Sequence, residues 1–107
     1  MSCCVKFTAT AKEDLRGIAL YIAEQSKDKA AATRFVTELR EKCTLIEQLP
    51  ESGSIPKDRV MMSAGYRFLV HKEYLIFHSY EKAENTAYVL AVFNAKRDYM
   101  RVTKRFL

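Results

Sequence analysis

The spacing of hydrophobic positions changes period partway along the chain. Leu15, Ile18, Ala19 and Ile22 fall on one stripe at helical spacing. Just before them, Thr10-Ala11-Lys12-Glu13 has the form of a capping box, in which a Thr cap and a Glu three residues on satisfy each other's backbone donors. The pattern predicts a helix that ends near Gln25-Ser26. A second stripe, Ala32, Phe35, Leu39, Cys43 (or Lys42 by its stem), Ile46 and Leu49, predicts another helix, capped by Ser26 or Asp28 and stopped by Pro50. A joint of about three residues makes the two helices an antiparallel hairpin. Glu51-Ser52-Gly53-Ser54-Ile55-Pro56 follows as a loop rich in turn residues.

From Tyr66 onward the period drops to two. Tyr66 to His71, Tyr74 to Tyr80 and Thr86 to Asn94 read as three strands, rich in aromatic and branched residues. Lys72-Glu73 supplies a two-residue turn, and 81–85 a longer polar one. A short strand over Cys3 to Thr8 precedes the helices. The tail beyond Asn94 has the spacing of a short amphipathic helix with Tyr99, Val102 and Phe106 inward. The expected fold class is α+β: an N-terminal strand and a two-helix hairpin packed on a sheet that a C-terminal antiparallel meander completes.

Composition narrows the class. The 107 residues make a single domain over 1–107, and 49% hydrophobic content is enough for a core. No apolar run approaches the roughly 18 residues of a membrane span, and the N-terminus lacks the layout of a signal peptide. The expected location is the cytoplasm. Three cysteines (Cys3, Cys4 and Cys43) with no Cys-x-x-Cys and no suitably spaced histidine read as reduced structural thiols. Neither metal nor cofactor is expected.

Charge is unevenly placed. Residues 1–54 balance eight Lys and Arg against eight Asp and Glu, whereas 55–107 hold ten against five, so the whole net charge of +5 lies there. Lys96, Arg97, Arg101, Lys104 and Arg105 crowd the tail. Such segregation suits a polyanion or an acidic protein, although a solvated basic face gives the same count.

A tight turn at Lys72-Glu73 pairs His71 with Tyr74, Leu69 with Ile76 and Arg67 with His78, and paired residues share a face. One face then carries Tyr66, Phe68, Val70, Leu75, Phe77 and Ser79. Being nearly all apolar, it is expected to pack on the hairpin. The other carries Arg67, Leu69, His71, Tyr74, Ile76, His78 and Tyr80, and is expected to be the working surface. Each residue also has an ordinary reading: Arg67 and His78 as a solvated cross-strand pair, His71 as an exposed turn residue, Tyr74 and Tyr80 as common strand residues, Tyr99 as an anchor for the tail.

Several segments, in order, resemble the RelE/ParE superfamily of bacterial toxins: Ala11-Lys12-Glu13-Asp14-Leu15, Ile18 to Glu24, Leu49-Pro50-Glu51-Ser52-Gly53, Gly65 to Val70, Tyr74-Leu75-Ile76-Phe77 and Val92 to Tyr99. The resemblance implies the toxin of a type II toxin–antitoxin pair, held by an acidic antitoxin and reaching operator DNA only through it. RelE-like members cut mRNA on the ribosome; ParE-like members poison DNA gyrase.

Cutting RNA at a ribose 2′-OH needs a base, a group to stabilise phosphorane charge and an acid. By resemblance, Arg67 and Arg97 match basic positions of the RelE-like pattern. His78, or else His71, is the candidate acid or base, and Tyr99 could position or donate a proton. Leu69, however, stands where a second basic residue is usual. No arginine matches near Leu75, and no tyrosine lies at the RelE-like spacing beyond Arg97. The long hairpin and Tyr66-Arg67-x-Leu69 resemble the ParE branch more. For antitoxin or target binding the candidates are Arg67, Leu69, Tyr74, Ile76, Tyr80, Lys96, Arg97 and Arg101. Three outcomes stay open: a gyrase poison, a ribosome-dependent endoribonuclease, and a non-toxic module that only binds antitoxin.

Overall fold

The computed structural model of the chain describes residues 2–97. Strand β1 (Cys4–Phe7) leads into helix α1 (Ala9–Ser26) through Thr8, whose backbone is extended and whose Oγ1 accepts the Ala11 N–H at 3.1 Å. The cap is therefore Thr8 and not the expected Thr10. Thr8 is the last residue still in strand geometry, and Thr10 already sits inside the helix. Asp28 caps helix α2 (Lys29–Lys42) as expected, accepting from Ala30 and Ala31. The second helix does not run unbroken to Pro50. It ends at Cys43, and a short helix α3 (Thr44–Gln48) continues. The 50s loop contains a further short helix, α4 (Arg59–Ser63), capped by the Asp58 carboxylate and not foreseen.

The meander is strands β2 (Arg67–His71), β3 (Tyr74–Glu81) and β4 (Thr86–Asn94). The sheet order is β1-β4-β3-β2, with β1 parallel to β4 and the other pairs antiparallel. The expected register holds: Arg67 faces His78, Leu69 faces Ile76 and His71 faces Tyr74. Lys72 makes the tight turn at φ 55° although it is neither Gly nor Asn.

The faces are the reverse of the expectation. Leu69, Tyr74 and Ile76 lie under the hairpin, in one core with Leu15, Ile18, Leu39, Cys43 and Ile46, and buried His78 shares their strand face. The aromatic face forms a separate layer, in which Phe77 stacks on Phe93 and Met61 of α4 packs over them. Composition misleads here because the choice of face belongs to the crossover from β1 through the helices to β2, two strands running parallel. Its hand follows strand twist, not side-chain polarity. A bulge compounds the difficulty. β4 carries one extra residue, Leu90, between Val89 (opposite His78) and Ala91 (opposite Phe77). Val92 thereby returns to the hairpin side while Ala91 and Phe93 face away.

β1 is shorter than β4, and two α1-side groups continue its edge. Thr8 Oγ1 donates to the Leu90 carbonyl at 3.1 Å, and Asp14 Oδ2 accepts the Val92 N–H at 3.0 Å. These bonds seat α1 on the sheet and leave no bulge backbone group exposed to an apolar layer unpaired at those two positions. The cysteines are free; Cys3 and Cys43 are buried, and burial pushes the Cys43 thiol up to about 11, which keeps it protonated and unreactive. No described helix is long and apolar enough to cross a membrane.

Candidate functional site

Arg67 and His78 meet at one end of the β2–β3 pair. His78 is fully buried, and its Nε2 lies 3.0 Å from the Ser52 carbonyl. A carbonyl only accepts, so Nε2 carries the proton and Nδ1 holds the lone pair. That Nδ1 is buried without a partner. Desolvation holds the ring below the usual imidazole range; the Ser52 bond works against this and the Arg67 charge adds to it. His78 is therefore a neutral group whose only basic atom is closed to solvent. The Ser52 carbonyl gets there because Gly53, at φ 99°, turns the loop so that Ser54 bridges Phe68 through two backbone bonds of 2.9 Å.

Arg67 is already engaged. Its Nη2 lies 3.9 Å from Glu51 Oε2, and Lys82 Nζ lies 3.9 Å from the other oxygen of the same carboxylate. Beside them opens a cavity of about 290 Å³ lined by Pro50, Ile55, Met62, Tyr66 and Tyr80, with His78 in its wall. Tyr80 directs its hydroxyl away, donating to Asn85 Oδ1 at 2.7 Å.

The other candidates stand at the opposite end of the sheet. His71 lies four residues along β2 from Arg67, roughly 13 Å at strand rise. Its Nε2 is 2.9 Å from Glu38 Oε1 on α2, and Lys72 Nζ is 3.3 Å from the same oxygen. Hydrogen bonds from His71 and then Lys72 hold the Glu38 carboxyl below its usual range. The ring of Phe35 packs against His71 and Tyr74, and Lys72 sits over its face. This cluster clasps α2 to the β2–β3 turn. Arg97, just past β4, lies with its guanidinium carbon 3.8 Å from the centre of the Tyr21 ring on α1. Both line an open groove of about 420 Å³ with Glu73, Tyr74, Asn94 and Lys96. The Asn94 side chain accepts the backbone N–H groups of Lys96 and Arg97 and so shapes that corner.

The expected surface of Arg67, His78 and Arg97 on one open face is thus not what the fold builds. Arg67 and His78 adjoin, but Arg97 lies beyond the far end of β4. Leu69, Ile76 and Tyr74, expected as exposed binding residues, are 7%, 0% and 6% exposed. Tyr99 and Arg101, and the expected tail helix, lie outside the described residues. Sequence reasoning passed over Glu51, Lys82, Glu38 and Tyr21. Glu51 and Tyr21 stood in stretches that resemble the superfamily, Leu49-Pro50-Glu51-Ser52-Gly53 and Ile18 to Glu24.

A family model described as the ParE toxin of type II toxin–antitoxin systems, parDE, matches residues 5–99. No curated protein sequence matches the chain. Among solved structures, the chromosomal ParDE system of P. aeruginosa is similar with a TM-score of 0.74 at 15% identity, over 87% of this chain and 96% of that one. The toxin–antitoxin complex RelBE2 from Mycobacterium tuberculosis has a TM-score of 0.57 at 21% identity, over 88% and 99%. A double mutant of E. coli toxin RelE in the free state has a TM-score of 0.62 at 15% identity, over the whole of both chains. At such identities these likenesses concern the fold alone.

Proposed function

This chain belongs to the ParE toxin family of type II toxin–antitoxin systems, and from that premise we propose that it arrests growth by gripping a protein target, DNA gyrase, rather than by cutting RNA. One observation carries the choice: the acid–base candidate of the ribonuclease reading, His78, is sealed in the core with its lone pair pointing to no solvent. General base catalysis requires that lone pair within hydrogen-bond reach of the hydroxyl it deprotonates. The separation of Arg97 from Arg67 supports the same reading, because two cations at opposite ends of a sheet do not converge on one phosphorane. His71 is half-shielded and committed to Glu38, which it ties to the strand.

An acidic antitoxin is the partner that restrains the protein. The net charge of +5 favours it by long-range attraction, and Lys96 and Arg97 line an open groove with Glu73 where such a partner has room to dock. Induction in cells lacking the antitoxin is the test. The account expects growth arrest with DNA-damage signalling and intact transcripts. Cuts within codons, mapped by primer extension and abolished by His78→Ala, would transfer the function to the ribosome and its mRNA. Harmless expression would leave only an antitoxin-binding module.

A further inference from the structure

The cavity beside Arg67 has features that neither the fold nor the buried histidine requires. Its mouth is aliphatic and uncovered: Ile55 is 53% and Met62 47% exposed, and Leu49, at 61%, lines an adjoining hollow that shares Pro50 and Glu51 with it. Large apolar side chains left this open along one short stretch of chain mark a contact surface more often than a solvated one. The charges at its rim are also unbalanced. Arg67 and Lys82 share the single carboxylate of Glu51, and at 3.9 Å neither makes a hydrogen bond to it. With His78 neutral in the wall, the rim keeps one uncompensated positive charge and two cations with donors to spare.

We propose that this notch is the surface with which the toxin holds its target, and that it takes a protein segment in which a large apolar side chain stands next to a carboxylate. The apolar group covers Ile55, Met62 and Pro50. The carboxylate takes the hydrogen-bonding position on Arg67 and Lys82 that Glu51 leaves unused. The proposal rests on the protein-gripping function above and names the part of the toxin that performs it. RNA suits the notch poorly, because Glu51 sits between the two cations and would repel a phosphate chain, while Ile55 and Met62 offer it nothing. A site with one net charge and an aliphatic lip matches a local contact of few residues.

The test compares Met62→Glu and Lys82→Glu with wild type, and with Leu20→Glu as a control at an exposed leucine on α1, 60% exposed and away from the notch. Each is read for growth arrest without antitoxin, inhibition of purified gyrase, mRNA cleavage, thermal melting and co-purification with antitoxin. The notch variants are expected to need at least about tenfold more toxin for half-inhibition, the loss typical of a disrupted contact centre. Their melting and antitoxin capture should match wild type, and Leu20→Glu should be fully toxic. Undiminished arrest by both notch variants overturns the proposal. So does lost antitoxin capture with toxicity kept, which would hand the notch to the antitoxin. If wild type cuts mRNA and the notch variants do not, the occupant is RNA, which overturns the proposal equally. If wild type leaves gyrase untouched, the gyrase reading fails by itself, and the comparison of growth arrest still decides whether the notch holds the target.

Discussion

Asp14→Ala removes the acceptor that seats α1 on the sheet. Asp14 is 8% exposed and Val92 1%, and their bond spans 78 residues of sequence at 3.0 Å. Truncation takes the side-chain acceptor from a buried N–H, so the variant bears the desolvation of that donor, about 1–3 kcal/mol. Unfolding entropy of about 2.1 cal/mol/K per residue gives ~0.22 kcal/mol/K for a chain of 107 residues. A loss of about 2 kcal/mol therefore lowers Tm by roughly 9 °C. Asp14→Asn keeps an acceptor oxygen and should lose about half as much. Thermal melting by circular dichroism measures both, and amide exchange at Val92 should accelerate more than exchange at Ile76. A Tm within about 2 °C of wild type for Asp14→Ala, equivalent to ~0.5 kcal/mol, would refute the claim that this bond stands in for the missing strand.

Other outcomes follow from the loop and the buried ring. Gly53→Ala would place a Cβ 2.5 Å from the Phe68 carbonyl oxygen at a backbone φ of 99°. The Ser54–Phe68 bridge must break or the loop strain, at a cost of about 2 kcal/mol or more, and unchanged denaturant midpoints would contradict this. His78 titrates below its ordinary value when folded, so the unfolded chain binds its proton first as the solution acidifies. Its contribution is complete above an ordinary imidazole pKa of about 6.5 and is lost as pH falls through the folded value, at up to about 1.4 kcal/mol per pH unit. His78→Gln, which still donates to Ser52, should flatten that part of the stability profile; an unaltered slope would mean the ring is not held neutral. Glu38 adds a separate loss at lower pH, because its carboxyl is held down by His71 and Lys72.

Much of this architecture is legible in the sequence. The period-two stretches located β2, β3 and β4, and the register followed from the Lys72-Glu73 turn. What alternation could not decide was which of two largely apolar faces lay under the helices, since Leu69 and Ile76 are as fit for burial as Phe68 and Phe77. Crossover hand made that choice and the Leu90 bulge shifted the alternation within β4, and neither has a local signature in Val89-Leu90-Ala91. The break at Cys43 has no Gly or Pro to announce it. The site was less legible than the fold. An arginine, two histidines and two tyrosines on one strand face suggested binding or proton chemistry, but histidine in a strand is also a core residue when a carbonyl meets it. The Ser52 carbonyl lies 26 residues away, brought there by a turn at Gly53. Glu51, which unites Arg67 with Lys82, is similarly remote in sequence from both.

Supercoiling by purified DNA gyrase in the presence of excess toxin, with the same toxin added in parallel to a translating mRNA, tests the central claim most directly. The account predicts that supercoiling stops and the message stays whole. Normal supercoiling alongside a message cut within its codons would contradict it.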